Sequence, residues 1–232
     1  MRKQLLFFMF VAFAQTALSQ PDSLLFAAAS GPKAAVEAGD PLFYGRQYVG
    51  YEFVIEGIPF YPTDEWQKGT ITYRDVTYRD VLLKYDLVKD EVLVLHPNGY
   101  TPVILFAPRI DFFTMGEKKF VYLPALEAAP FKAGVYEEVS RGALTLYAKR
   151  SKLLSEEIVS NKIEREFVDN HSFYIRKEGK LVAANKEKVI MALVEEKKKE
   201  SKALLKKDGI KFRKNPEAAL RTIVTFYNQS SR

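Results

Sequence analysis

The sequence predicts an α+β fold: an antiparallel β-meander, shaped as a curved sheet or barrel-like, followed by a short hairpin and C-terminal helices. Three observations predict this class. From Gly69 to Phe106, apolar and polar residues alternate with a period of two, which is typical of β-strands. Pro97-Asn98-Gly99 interrupts the alternation, and an Asn-Gly pair between two such runs favours a tight hairpin. After Asn185, apolar residues recur instead at helical spacing.

The first residues have the features of an export signal. Arg2 and Lys3 precede an uncharged apolar run from Leu5 to Ala14, and Ala17-Leu18-Ser19 provides the small residues that a signal peptidase recognises. We therefore expect residues 1–19 to be a signal peptide and Gln20 to begin a secreted protein, soluble in the periplasm or outside the cell. The apolar run is too short to cross a bilayer, and no later run approaches about 18 residues, so we expect no transmembrane segment.

The composition is that of a folded exported protein without thiol chemistry. Hydrophobic residues make up 47% of the 232 residues, enough for a sizeable core. Cysteine is absent, which excludes disulfides, thiol catalysis and cysteine-based zinc sites. Removing Arg2 and Lys3 lowers the formal net charge from +6 to +4. In an exported protein, this mild excess favours an anionic envelope surface as partner over nucleic acid.

The meander is expected to occupy residues 46–149, after an irregular Ala-rich lead-in over residues 20–45. Its first strand is predicted at Tyr48–Ile55, and the chain stays extended from Ile58 to Tyr61 because prolines follow. The motif Tyr-Arg-Asp-Val occurs twice, beginning at Tyr73 and at Tyr78. A straight strand would place the two tyrosines on opposite faces, so we predict a tight turn near Arg74-Asp75 that brings them to one face.

Later hairpins follow from turn residues between further alternating runs. Their predicted strands are 109–114 with 119–123, 135–139 with 143–148, and 171–176 with 180–182. Residues 150–170 are highly charged and are expected to form a connector, either a mobile loop or a solvated strand pair. Residues 171–229 are expected to form the last hairpin and helices that pack on the sheet.

Helix boundaries are predicted from capping residues. Asn185 is expected to cap the first helix, a second is expected over Lys197–Lys207 and to end at Asp208-Gly209, and Asn215-Pro216-Glu217 is typical of a helix start. Lys197, Lys198, Lys202 and Lys206 lie along the second helix. They predict contact with an anionic envelope surface, although glutamates interleave with them and a solvated helix face is the simpler interpretation.

Catalytic and metal-binding motifs are absent from the sequence. His96 and His171 are far apart and have no second ligand at metal-binding spacing, so both are interpreted as structural or surface residues. There is no Gly-x-Ser-x-Gly, dinucleotide-binding or P-loop pattern. We therefore predict no catalytic residue, no metal and no cofactor.

The best candidate binding residues are Tyr61, Asp64, Glu65 and Trp66. An exposed aromatic ring can stack on a sugar, and paired carboxylates beside aromatic residues occur in glycoside hydrolysis. The simpler interpretation is that the acids are solvated loop charges and that the only Trp closes one end of the core.

Several segments are similar to a known group of sequences. Gly69–Tyr73, Tyr78–Asp86 and Asp90–Val94, together with the Lys-rich tail through Asn228, resemble uncharacterised exported β-rich proteins common in Bacteroidetes, a group with no assigned activity. The shared motifs are structural, so the resemblance implies no active-site residue. We interpret the chain as a non-catalytic exported envelope protein, a binding or scaffolding module. The alternative is a carboxylate-dependent hydrolase acting on envelope or imported glycans.

Overall fold

The computed structural model of the protein describes residues 36–125 and 131–230. The predicted signal peptide and most of the predicted lead-in lie outside the described residues. The strands are β1 (Arg46–Gln47), β2 (Phe60–Tyr61), β3 (Gln67–Tyr73), β4 (Val76–Asp86), β5 (Glu91–Leu95), β6 (Pro102–Ile104), β7 (Ile110–Met115), β8 (Lys118–Leu123), β9 (Gly134–Ser140), β10 (Leu144–Lys149), β11 (Lys152–Val159), β12 (Lys162–Asp169), β13 (Ser172–Lys177) and β14 (Lys180–Ala183). The helices are α1 (Glu187–Leu193), α2 (Lys198–Lys207) and α3 (Pro216–Ser230).

One antiparallel sheet of 12 strands organises the molecule. Its order is β1-β6-β5-β4-β3-β7-β8-β9-β10-β13-β14, and β2 pairs with β4. Neighbours in sequence are mostly neighbours in the sheet, so the predicted meander with a late hairpin and C-terminal helices is confirmed. Among the described residues β1 and β14 form open edges, so of the two predicted shapes the open, curved sheet is the observed one.

The β3–β4 hairpin turns at the predicted position. Arg74 and Asp75 adopt positive φ angles of 51° and 64°, as the tightest hairpin turns require. The turn places Tyr73 and Tyr78 in the same core, with 3% and 2% of their surfaces exposed. The repeated Tyr-Arg-Asp-Val motif therefore produces one buried tyrosine on each strand of a hairpin.

The described residues form two large hydrophobic cores and a smaller third cluster that includes Phe131, Tyr136 and Leu181. The first is built from the inner faces of β3–β8 and is rich in aromatic rings; the stacked pair Phe113 and Phe120, with centroids 4.8 Å apart, lies inside it. The second lies between the later strands and the C-terminal helices. The helix residues buried in it include Ile190, Met191, Leu205, Leu220, Ile223 and Val224.

The predicted strand Tyr48–Ile55 is wrong. Residues 48–59 form an irregular segment, here called the aromatic strap, which crosses the outer face of the sheet. The hydroxyls of Tyr48 and Tyr51 donate hydrogen bonds of 2.7 and 2.9 Å to one oxygen of Asp86, a fully buried carboxylate at the end of β4. The backbone contacts that add to them are isolated: the Tyr48 N–H donates to the Pro102 carbonyl at 2.9 Å, and Glu56 forms an isolated bridge to Glu166.

The charged connector is a strand pair rather than a loop. Strands β11 and β12 form a separate hairpin, here called the arm, with a turn at Ser160 and Asn161, both of positive φ. Ile158 and Ile163 face each other across the arm and are 79% and 57% exposed. The arm is therefore solvated along most of its length, as one of the two predicted alternatives required.

The C-terminal helices pack on the sheet and largely follow the predicted boundaries. The Asn215 side chain caps α3, accepting a 3.0 Å hydrogen bond from the backbone N–H of Ala218. The predicted Asn185 cap is wrong: its amide oxygen accepts from the Phe173 N–H at 2.8 Å, and α1 begins after Lys186 without a side-chain cap. The amide of Asn185 joins the helical region to β13 instead.

Helix α2 begins at Lys198, one residue later than predicted, and ends before Gly209 at positive φ. It buries Ser201 and Leu205. The lysines proposed to contact an anionic surface are exposed at positions 198, 202 and 206 and half-buried at 197, so that contact stays a prediction. Among the described residues no helix combines the length and apolar content needed to span a membrane.

Candidate functional site

A groove lined by aromatic rings runs across the outer face of β4–β6. Its volume is about 350 Å³. Its walls carry rings from four parts of the chain, and its floor is apolar. The lining residues are Tyr48, Phe60, Trp66, Lys84, Leu93, Leu95, Gly99, Tyr100 and Pro102.

Strand alternation explains why these side chains share one face. Lys84 pairs with Leu93, and both point away from the core that holds Tyr85 and Val92 on the neighbouring pair. On β2, Phe60 pairs with Asp86 and so lies on the same outer face. The groove thus lies on the outer face of these strands, bordered by Tyr48 at the start of the aromatic strap.

Lys84 fixes the loop that carries Trp66. Its side chain is only 13% exposed, and its Nζ lies 2.9 Å from Oδ1 of Asp64. The same ammonium lies 4.7 Å from the ring centroid of Phe60 and 5.2 Å from that of Trp66. Such cation–π contacts each contribute on the order of 0.5–1 kcal/mol, and more where the cation is desolvated. Trp66 is therefore oriented by an ion pair and a cation before any ligand arrives.

The structure places the four predicted binding residues in different environments. Trp66 lines the groove, and Asp64 is joined to it through Lys84. Glu65 is exposed in the adjoining loop, where its N–H donates to Thr63. Tyr61 lies on the inner face, edge-to-face with Phe120 at 5.4 Å, and burial raises the pKa of its hydroxyl. Tyr61 thus belongs to the core cluster, because on a strand it must face away from Phe60.

Of the four rings and the ammonium that line the groove, sequence reasoning identifies only Trp66 and misses Tyr48, Phe60, Lys84 and Tyr100. Two of these missed residues have a sequence feature from which their position could have been predicted. Lys84 interrupts an apolar strand on the face opposite to Tyr85, and Tyr100 directly follows the Asn98-Gly99 turn and is 78% exposed. Tyr48 has the local sequence of a strand residue, and its position depends on a hydrogen bond to Asp86, which is distant in sequence.

Three acidic side chains away from the groove are paired with cations, whereas the fully buried Asp86 accepts hydrogen bonds from the Tyr48 and Tyr51 hydroxyls. Glu137 and Glu217 both bind Arg150, and Asp90 binds Lys149 at 2.6 Å. No acidic side chain is among the groove-lining residues, and within residues 36–125 and 131–230 no group of three His, Asp or Glu is placed to hold a metal ion. The groove therefore offers rings, an apolar floor and one ammonium.

Comparisons with protein-family models, curated proteins and solved structures give no match to this chain. Its function is therefore inferred from the chemistry of the groove.

Proposed function

We propose that the protein is a non-catalytic exported binding module of the cell envelope, and that it holds a carbohydrate chain in the aromatic groove. The observation that carries this proposal is the convergence of Trp66, Tyr100 and Phe60 on one open groove beside the Lys84–Asp64 pair. The export part of the proposal rests on the N-terminal sequence pattern.

A sugar matches both kinds of surface in this groove. Its ring carbons present an apolar face that stacks on an aromatic ring, and its hydroxyls donate and accept hydrogen bonds. Trp66 and Tyr100 supply the stacking surfaces. The Asp64 side chain is 63% exposed, so its second oxygen is accessible to a sugar hydroxyl. An open groove also suits a segment of a longer chain better than an enclosed cavity does.

The same geometry favours binding over the hydrolase alternative. Glycoside hydrolysis requires two carboxyl groups on either side of the bond that is broken. The groove lining contains none, Asp64 is ion-paired with Lys84, and Glu65 lies in the exposed loop. Aromatic rings and one ammonium group can bind a glycan. They do not supply the acid and the nucleophilic or basic carboxylate that hydrolysis of a glycosidic bond needs.

Trp66 makes the proposal directly testable, because it is the only Trp in the sequence. Titration of the protein with cellohexaose, chitohexaose, maltohexaose and laminarihexaose should change Trp fluorescence saturably for at least one of them. Tyr100→Ala should weaken that binding about tenfold, since it removes one stacked ring but leaves the reporter.

Tyr44→Ala is the matched control, because Tyr44 is 68% exposed, is also a Tyr and lies outside the groove. It should bind the same sugar with unchanged affinity. The absence of a response to every oligosaccharide, or an equal loss in both variants, contradicts the proposal.

The same samples test the hydrolase alternative. After long incubation with each oligosaccharide, we expect no new reducing ends. If reducing ends appear and Asp64→Asn or Glu65→Gln abolishes them, catalysis replaces binding as the function of the groove.

A further inference from the structure

We propose a second binding site, in a cleft of about 530 Å³, for a small molecule with a planar apolar body and one anionic group. The cleft lies where the start of β1 and the end of β6 meet the β3–β4 turn. It shares no lining residue with the aromatic groove. The residues on which the proposal depends are Tyr44, Arg46, Arg74, Glu91 and Phe106.

The acidic groups of the cleft are neutralised within the protein. Glu91 lies 3.1 Å from Nη2 of Arg46. Asp90 accepts a 2.5 Å hydrogen bond from the Tyr85 hydroxyl and lies 2.6 Å from Nζ of Lys149. Neither acid therefore brings uncompensated negative charge to the cleft, and an incoming anion meets no unpaired carboxylate there.

Arg74 differs from Arg46 in its surroundings. Its guanidinium lies 5.6 Å from the Tyr73 ring centroid, and no acidic side chain of the described residues forms an ion pair with it. Its backbone N–H donates a 2.9 Å hydrogen bond to the Arg109 carbonyl, which fixes the turn that carries it. The guanidinium donors of Arg74 are thus available to a ligand, and their planar fork fits a carboxylate or a phosphate.

Two exposed aromatic rings line the same cleft as the Arg74 guanidinium. Tyr44 and Phe106 are 68% and 60% exposed, although both are large enough to belong in a core. Each lies two residues beyond the β1–β6 pairing in which Arg46 is opposite Ile104, so the register brings them to the same part of the sheet edge. Two exposed rings beside a cleft with an apolar floor provide the stacking surface for a planar body.

Calorimetric titration with defined probes tests the site. The probes are 2-naphthoate, 1-naphthyl phosphate and the uncharged 2-naphthylmethanol. We expect one-to-one binding in which at least one anion binds more tightly than the neutral compound. Arg74→Gln should weaken the anion about tenfold or more and leave the neutral probe unchanged. Phe106→Ala should weaken all probes that bind. A preference for the carboxylate or for the phosphate identifies the headgroup of the natural ligand.

Two control variants separate this site from non-specific binding and from the groove. Arg79→Gln removes an exposed arginine of β4 that does not line the cleft, and Tyr100→Ala removes a ring of the groove only. Both should bind the probes normally, and Arg74→Gln should bind sugars normally. The proposal is overturned if no probe binds, if the anions bind no better than the neutral compound, or if either control loses as much affinity as Arg74→Gln. None of these outcomes depends on the sugar titrations.

Discussion

Arg150 and Glu217 form a two-pronged ion pair that joins the sheet to the last helix. Both guanidinium Nη atoms lie 2.7 Å from a Glu217 oxygen, and Nε of Arg150 donates a 2.6 Å hydrogen bond to Glu137. The side chains of Arg150 and Glu137 are only 6% and 2% exposed. The start of α3 is thus fixed on the sheet by charge as well as by packing.

The first prediction concerns the pH dependence of stability. The hydrogen bond from Arg150 lowers the pKa of Glu217 from 4.5 to about 2 in the folded protein, against a burial effect that raises it. A carboxyl whose folded pKa is lowered stabilises the fold above its unfolded pKa, and that contribution is lost as pH falls from 4.5 toward about 2. Glu217→Gln should therefore lower the free energy of unfolding at about pH 7 and flatten its decline in acid. Urea unfolding at a series of pH values measures the free energy of unfolding and its decline in acid. If the pH profiles of the variant and the wild type are parallel, the prediction is contradicted.

The second prediction tests the packing of α3. Ile223 is fully buried in the second core, so Ile223→Ala should cost about 2–4 kcal/mol through lost burial and the cavity that remains. Thr225→Ala, an exposed position on the same helix, should change the free energy of unfolding by no more than about 0.5 kcal/mol. Denaturant unfolding of both variants decides this. Equal stability of the Ile223 variant and the wild type would mean that α3 does not depend on the sheet.

The third prediction concerns the turn between β5 and β6. Gly99 has a φ angle of 83°, and no heavy atom lies within 4 Å of the position that a Cβ would occupy, so the cost of a side chain is purely one of backbone conformation. Gly99→Val should destabilise the protein by about 1–3 kcal/mol. Gly50→Val is the control, because Gly50 is equally unobstructed but has no positive φ. Thermal melting should separate the two variants, and identical melting temperatures would argue against strain at Gly99.

The fourth prediction concerns the aromatic strap. Asp86 accepts hydrogen bonds from both strap tyrosines and from two backbone amides. Burial, reinforced by Asp86, raises the pKa of the Tyr48 hydroxyl, so this phenol stays a donor throughout the neutral range. Asp86→Ala should therefore release the strap and increase hydrogen exchange over residues 48–59. Asp111→Ala, at an exposed position, should leave that exchange unchanged. Unchanged protection of the strap in the Asp86 variant would contradict this prediction and would show that ring packing and the backbone bonds of Tyr48 and Glu56 hold the strap without Asp86.

Local signals in the sequence predict the sheet well. Gly99 favours the backbone angle of the Asn98-Gly99 turn, and the repeated Tyr-Arg-Asp-Val motif indicates the turn at Arg74-Asp75. The period of two assigns each flanking strand residue to a face. The capping role of Asn215 is predictable for the same reason, because its hydrogen bond reaches only three residues along the chain.

The strap and the groove depend on contacts between residues far apart in sequence. Tyr48 is positioned by Asp86, and Asn185 is drawn away from its helix by the N–H of Phe173. Tyr48 resembles a strand residue and Asn185 a helix cap in local sequence, so a distant partner overrides the local preference. The groove is only partly predictable because its four rings come from separate segments that the sheet brings together.

The arm is an insertion between two strands of the main sheet that are neighbours in that sheet. Strands β10 and β13 pair directly, with Lys149 opposite Ser172, although the whole arm lies between them in sequence. The N–H of Asn170 donates a 2.9 Å hydrogen bond to the carbonyl of Ser151, closing its base. Since the two ends of the arm are already neighbours, its length can change without shifting the register of any strand in the main sheet. The tip of the arm around Ser160 and Asn161 can therefore vary in length during evolution, whereas Arg165 and Phe167 nearer its base contact the aromatic strap and are constrained by it.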